Sequence, residues 1–362
     1  MDFTCSEEQL LLEDTVRRFV AKDYGFEKRR AIRDSAEGWS RETWQALADL
    51  GLLALNVPEE HGGLGGGPVD TMLVMNALGP GLLLEPYLVS AVVATALLRE
   101  CPPQAGLLNQ MAAGERIVVL AHDEPDRAST LCRPAGTYFL LDGRKRVVQH
   151  AAAADFLIVS ARLNEELALF LVPRDAAGLS LDSYPMLDGT RAAEVRLAGV
   201  RLPPDTRLPA ARAALERALD AGLAALCAEA VGIMKVALDA TVDYLRTRQQ
   251  FGQPIGRFQA LQHRAVDMLM HYEQAKSMSL LAAMRCASTD ARDRRRALAA
   301  AKVTINRAAR FIGQQAVQLH GGMGMTDELI IGHWFKRLTA IEILQGDSDT
   351  HLQQFIETAN AI

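Results

Sequence analysis

The sequence predicts an α+β protein in which a β-rich block sits between two helical regions. Three observations carry this. Apolar residues recur at helical spacing near the N-terminus and over long stretches after residue 211. Between 116 and 208 the pattern changes to short apolar runs separated by turn residues. Pro203-Pro204 then closes the block, because proline removes a ladder donor and fixes φ. The domain organisation read this way is 1–115 helical, 116–208 β, and 209–362 a helical bundle.

Ser6, with Gln9 three residues on, has the form of a capping box, and Leu10, Leu11, Val16, Phe19 and Val20 follow at helical intervals. A second helix is expected from Arg41 to Leu50, with Trp44, Leu47 and Ala48 facing inward. The glycine-rich stretch from Pro58 to Pro68 lacks the Lys-Ser/Thr ending of a phosphate-binding loop, and no strand precedes it, so it reads as a structural loop. Asp70–Leu78 and Pro86–Leu98 read as two buried helices. In the middle block, runs at 117–121, 138–141, 146–148, 156–160 and 167–172 are expected strands, with turns at Gly136, Asp142-Gly143 and Asn164. Residues 194–197 and 200–202 complete the set.

After Ala211 three long helices are expected. The first carries Leu215, Leu219, Leu223 and Leu226 on one stripe; the others follow Gly256 and lead up to Leu319. Long helices in sequence suggest an antiparallel bundle. Dense small residues such as Ala228, Ala230, Gly232 and Ala237 permit close helix or subunit contact.

Bulk properties narrow the function. The net charge of −5 over 362 residues supplies no electrostatic footprint for nucleic acid. The basic run Arg292–Arg296 reads as a solvated helix start. Five cysteines, none at CxxC spacing, argue against zinc and against a disulfide framework, and for a reducing, cytoplasmic setting. No secretory signal and no uncharged apolar run of membrane length is visible, so no membrane span is expected.

Two polar, glycine-bearing stretches interrupt or end the C-terminal helices: Arg248-Gln249-Gln250-Phe251-Gly252-Gln253-Pro254-Ile255-Gly256 and Gln318-Leu319-His320-Gly321-Gly322. Together with the α–β–α order, Arg-x-x-Phe-Gly at 248–252 and Gln-x-x-Gly-Gly at 318–322 resemble the acyl-CoA dehydrogenase family over essentially the whole chain. The resemblance is closest to the small subunit of pimeloyl-CoA dehydrogenase-type two-subunit enzymes, carried by Glu59-Glu60-His61-Gly62-Gly63 and by Gly332 to Thr339. It implies a β-barrel-like middle domain and a C-terminal four-helix bundle. It also implies FAD-dependent α,β-dehydrogenation of an acyl-CoA, with electrons passed to an electron-transferring flavoprotein. In the family the C-terminal motifs face a neighbouring subunit's FAD. By this likeness Arg248 meets the pyrophosphate, Phe251 packs near the dinucleotide, and Gln259, Gln318, Gly321 and Gly322 complete the contact. His320 is expected to be a packed residue.

The departures from the family pattern are as informative. The usual base lies 27 residues after Gln318, where this chain has Gln345, and an amide cannot take the α-proton at neutral pH. The alternative base position, 26 residues before Arg248, is Gly222. The flavin-cradling Glu-Pro-Gly-x-Gly-Ser-Asp is reduced to Glu124-Pro125-Asp126-Arg127, and Trp-Ile-Thr-Asn is replaced by Val147-Val148-Gln149-His150. Loss of base and cradle beside retained dinucleotide motifs suggests a small subunit that completes the FAD site of a large partner, as an α2β2 assembly. Two alternatives stand beside it. One is an active homotetramer with a base relocated to Asp347, Asp349 or Asp220. The other is a non-enzymatic acyl-CoA- or flavin-binding scaffold.

Overall fold

The computed structural model describes residues 5–101, 104–125 and 129–360, so Asp126 and Arg127 of the altered cradle motif lie outside the described residues. The helices before the sheet are α1 (Glu7–Asp23), α2 (Phe26–Arg33), α3 (Arg41–Asp49), α4 (Pro68–Leu78), α5 (Thr95–Leu98) and α6 (Ala105–Ala112). The sheet contains β1 (Val118–Ala121), β2 (Leu131–Ala135), β3 (Tyr138–Gln149), β4 (Phe156–Leu163), β5 (Glu166–Pro173), β6 (Leu179–Pro185), β7 (Arg191–Leu202) and β8 (Arg207–Leu208). Helix α7 (Ala211–Thr247), strands β9 (Gln249–Gln250) and β10 (Gln253–Pro254), then α8 (Gln259–Cys286), α9 (Ala291–His320), α10 (Ile330–Ile343) and α11 (Ser348–Asn360) follow. The chain divides into two compact units. One comprises Met1–Arg30, Gly67–Leu83 and Leu223–Ile362; the other comprises Ala31–Gly66 and Leu84–Gly222.

In the first unit the capping box forms as expected. Ser6 Oγ accepts from Gln9 N–H at 3.2 Å, and Gln9 Oε1 accepts from Ser6 N–H at 3.0 Å. The Gln9 amide also donates to Asp70 Oδ1 at 2.8 Å, joining α1 to the first turn of α4. Small residues let α7 approach α4 until backbones touch. A Cβ at Gly232 would lie 2.0 Å from Asn76 O, and one at Gly79 would lie 2.6 Å from Glu229 O. Helices α8 and α9 run antiparallel, with Arg264 donating to Gln315 and the His271 ring 4.5 Å from that of Phe311. The basic start of α9 seats α11: Arg292 donates to Thr358 O at 2.9 Å, and the Arg296 guanidinium lies 5.2 Å from the Phe355 ring. Between α7 and α10, buried Glu229 takes both arms of buried Arg337, at 2.6 and 2.7 Å.

The second unit holds an eight-stranded mixed sheet in the order β6-β7-β3-β2-β4-β5-β8, with β1 also paired to β4. Strand β3 differs from the expectation. Asp142-Gly143 is not a turn; the chain runs straight through it with register shifts on β7, and Asp142 Oδ1 accepts from Gly199 N–H of β7 at 2.7 Å. A carboxylate that bonds the partner strand's backbone stabilises a continuous ribbon where the dipeptide alone suggests a hairpin. Asn164 does turn: Asn164 and Glu165 have φ of 49° and 68°, the two positive values of a type I′ hairpin between β4 and β5. Strands β2 and β6 and helices α2 and α6 carry patterns too short or too polar to be read from periodicity. The Pro86–Leu98 segment is helical as expected, but Tyr87–Ala94 winds as a π-helix before α5. The glycine-rich loop is structural. Gly66 N–H donates to Leu55 O at 2.7 Å, and a Cβ at Gly63 would lie 1.9 Å from Val57 O. Leu97, Leu108, Val118, Ile158, Leu169 and Ala214 share this unit's core.

Helix α7 is long and apolar enough to cross a bilayer by length and composition, but 83% of its most apolar window is buried inside the fold, as a core helix would be. All five cysteines are free thiols. The Glu229–Arg337 pair yields a direct prediction. Arg337→Ala leaves a buried carboxylate without its counter-charge and should cost ~3–5 kcal/mol in urea unfolding. Replacing both partners by methionine should recover most of that loss.

Candidate functional site

The candidate site residues with open faces lie in the first unit, at the C-terminal ends of α7, α9 and α10. Helix α7 ends at Thr247, and the next residues form a miniature β-hairpin. Gln250 pairs with Gln253 and Gln249 with Pro254, while Phe251 and Gly252 make the turn at φ of 56° and 77°. Two consecutive positive φ values define a type I′ turn, which explains the glycine at 252. Arg248 O accepts from Ile255 N–H at 2.8 Å and closes the hairpin base. At its tip the Phe251 side chain is 89% exposed and meets the edge of Phe258, with ring centroids 6.0 Å apart. Arg248 is exposed and makes no ion pair among the described residues. Gly256 brings the return strand against α7, where a Cβ would stand 2.8 Å from Leu245 O. Gln259 opens α8 and is exposed, so its side chain shares this surface with the helix N-terminus.

One interaction sets the hairpin beside the glycine segment. The rings of Tyr244 and His320 stack at 4.4 Å, joining the last turn of α7 to the last residue of α9. His320 Nδ1 bonds Ala316 O at 2.8 Å, and burial lowers its pKa. His320 is therefore a packed residue, as the sequence suggests. Gln318 is exposed on the last turn of α9, and Gly321 and Gly322 follow on the surface. Gly321 has φ of 62°, which favours glycine; at both glycines an added Cβ would meet nothing of this chain within 4 Å. No crowding from the chain itself requires glycine at 322.

Gln345 follows α10 on the surface, with the uncommon φ of 58°. Three buried side chains grip the backbone around it. Lys302 donates to Ile341 O, Asn306 to Glu342 O at 3.2 Å, and the His351 ring bonds Gln345 O through Nε2 at 2.9 Å. Burial lowers the Lys302 pKa to about 8 and lowers that of His351. Asp347 accepts from Thr350 N–H at 2.9 Å and from the Thr350 hydroxyl at 2.6 Å. Those bonds hold its carboxyl below the ordinary range, so it caps α11 as a weak base. Asp349 lies exposed in the first turn of α11. Gly222, at the alternative base position, is buried within α7, and Asp220 is half-buried.

In the second unit, the segment in place of the flavin cradle is occupied by the protein's own contacts. Val147 sits at φ of 49°, strained for a β-branched residue, and its N–H is taken by the Tyr184 phenol oxygen. Val148 is buried, and Gln149 is paired with Ala192 in the ladder. Lys145 is fully buried and donates to Glu124 Oε1 at 2.6 Å and Ser160 Oγ at 2.9 Å. The His122 ring bonds the same serine through Nδ1 at 2.9 Å. Burial works to raise the Glu124 carboxyl, but the Lys145 and Thr130 bonds outweigh it and leave the pKa lowered. Sequence reasoning missed this network, because Lys145 sits between Arg144 and Arg146 and reads as part of a basic, solvated run. These residues fit a flavin dinucleotide on one side only. The exposed guanidinium and open glycines suit its anionic part, whereas Val147 and Gln149 supply no aromatic face or hydroxyl for the ring.

A helical bundle that carries an exposed arginine, an aromatic tip and open glycines at its end, in a chain that also holds a mixed β-sheet unit, defines the class of protein. Comparison with known proteins gives that class its family. Residues 6–115 match the N-terminal domain and residues 211–359 the C-terminal domain of acyl-CoA dehydrogenases. Acyl-CoA dehydrogenase FadE12 of Mycobacterium tuberculosis is 32% identical over 90% of this chain and 89% of its own length. Among solved structures, the ChsE4-ChsE5 complex from Mycobacterium tuberculosis superposes with a TM-score of 0.94 at 25% identity, covering 100% of both chains. A steroid acyl-CoA dehydrogenase variant, Tcur3481-Tcur3483, gives 0.90 at 28% identity over 98% of both chains. This chain belongs to the acyl-CoA dehydrogenase family, flavin-dependent oxidoreductases that act on CH–CH bonds.

The buried imidazoles give a pH prediction. His122, His320, His333 and His351 all have lowered pKa values, with burial the largest cause. The unfolded chain therefore binds more protons than the fold near pH 6, and stability rises with pH there. Their contribution is complete above the unfolded value of about 6.5 and is lost as pH falls through the lowered folded values. Urea midpoints should drop from pH 6.5 to 5; a flat profile across the acid range would contradict this.

Proposed function

We propose that this chain is the small, non-catalytic subunit of a two-subunit acyl-CoA dehydrogenase, completing the FAD site of a catalytic large subunit in an α2β2 assembly. The single observation that carries the reading is an asymmetry. The surface suited to a neighbour's dinucleotide, Arg248 with Phe251, Gln259, Gln318, Gly321 and Gly322, is preorganised and exposed. The positions that would serve the chain's own chemistry hold Gln345, Gly222, Val147 and Gln149. In the assembly Arg248 would hold the pyrophosphate through its planar fork, and Phe251 would cover the dinucleotide. The glycines let backbone approach the ADP part. The FAD supplies hydride acceptance for α,β-dehydrogenation when bound; this chain's residues hold and shield it.

The substrate class is an acyl-CoA thioester. A dicarboxylyl thioester such as pimeloyl-CoA follows from the subunit likeness, and electron-transferring flavoprotein is the electron acceptor. The five free thiols accord with a reducing, cytoplasmic setting. Paired chain names in two related structures accord with a partner of different sequence. Asp347 is a poor relocated base, because two bonds from Thr350 hold it ionised and engaged.

The test is co-expression with a candidate large acyl-CoA dehydrogenase subunit and flavin counting per chain. About one FAD per heterodimer supports the reading; one FAD per chain, or turnover by this chain alone, refutes it. In the complex, Arg248→Ala should weaken FAD retention by ~10-fold or more, since a charge-assisted bond is worth ~1.5–3 kcal/mol. Phe251→Ala should weaken the assembly while leaving the isolated chain's melting temperature within about 1 °C, because an exposed side chain contributes little to folding.

A further inference from the structure

One face of the sheet in the second unit gathers more guanidinium groups than the fold itself uses. The strand register says which residues share that face. Cys132, Leu141 and Val200 stand opposite one another on β2, β3 and β7 and are buried, so the neighbouring row, Arg133, Leu140 and Arg201, points outward. On β2 the next outward residue is Leu131, 55% exposed, and its partner on β4 is Arg162. Past the register shift at Asp142, Arg144 stands directly opposite Arg196, and Arg196 opposite Ser180 of β6. Buried Lys145 and Val195 form the adjoining inward row, so these three also point outward. The Arg201 guanidinium is steadied over the Tyr138 ring, 4.0 Å from its centre. Like charges directly opposite weaken an antiparallel pair. Yet Arg144 and Arg196 are both exposed, and neither has an ion-pair partner among the described residues.

We propose that this face is a docking surface for a protein partner that presents carboxylates. Neighbouring strands lie about 4.8 Å apart, so Arg144 and Arg196 stand side by side and can share one Asp or Glu side chain, with the Ser180 hydroxyl next in the row. Arg133 and Arg201 flank Leu140 and take further carboxylates, while Leu131 and Leu140 offer apolar contact between them. An arriving carboxylate offsets the repulsion that the like-charge pair carries in the isolated chain. Three observations favour a protein over a nucleic acid or a lipid surface. Asp182 and Glu194 stand opposite each other on the same face and would repel a run of phosphates. Between residues 116 and 208 the only lysine is Lys145, buried on the other side; arginine with apolar residues and without lysine is the composition of protein interfaces. The net charge of −5 opposes long-range attraction of polyanions to the chain as a whole. The inference is independent of the shared-flavin reading, because none of these residues belongs to that edge.

The experiment uses the full-length chain and a fluorescein-labelled peptide of repeating Asp-Glu-Leu, followed by fluorescence anisotropy at low salt. Wild type should bind it, and binding should weaken as salt is added. Replacing both facing arginines, Arg144→Gln with Arg196→Gln, should weaken binding about tenfold or more. A charge-matched control at two other exposed arginines, Arg212→Gln with Arg307→Gln, should stay within about twofold of wild type. The facing-arginine variant should melt at or above the wild-type midpoint, because it relieves a like-charge pair. A midpoint lowered by more than about 3 °C would show that these arginines serve the fold, and would overturn the inference. So would a wild-type chain that does not bind the peptide, or equal losses in the two variants. Duplex DNA or phosphatidylserine vesicles bound more tightly than the peptide would assign the face to another class of partner and also overturn it. Concentration-dependent self-association lost in the facing-arginine variant would give the face to a second copy, with the same consequence.

Discussion

The first unit depends on the buried ion pair between Glu229 and Arg337. Two charges at 5% and 7% exposure are tolerable only because they meet through both guanidinium arms. The pair fixes the register of α7 against α10. Helix α7 carries Arg248 just beyond its C-terminus, and α10 carries Gln345 just beyond its own. A slip of one turn would carry these residues about 5 Å along a helix axis, enough to separate a guanidinium from any phosphate it serves. Glycines on α7 and after α4 reinforce the arrangement by allowing backbone contact where any Cβ would clash.

The two ends answer different demands. At the end of α7 the backbone forms a type I′ hairpin that lifts Phe251 into solvent and leaves Arg248 uncommitted. At the end of α10 the backbone is gripped by Lys302, Asn306 and His351, and Gln345 is held in a left-handed conformation.

The altered flavin cradle follows similar logic. Loss of the aromatic and hydroxyl positions did not leave disorder at β3. The N–H of Val147 is bonded by Tyr184, and Lys145 is balanced by Glu124 and Ser160. A buried ammonium requires such partners whatever the function.

Much was determined by the sequence alone. Helical and β periodicities set the α–β–α order, and the capping box at Ser6 is local, because both rest on neighbours in the chain. The Asp142-Gly143 pair misled because its aspartate bonds a glycine 57 residues away, which no local rule anticipates. The same limit hid the His122–Ser160–Lys145 relay, assembled from three strands, and the grip of α9 and α11 on the loop of Gln345. Whether a polar residue is structural, poised or exposed is set by which distant partners share its hydrogen bonds. Only the tertiary structure decides that.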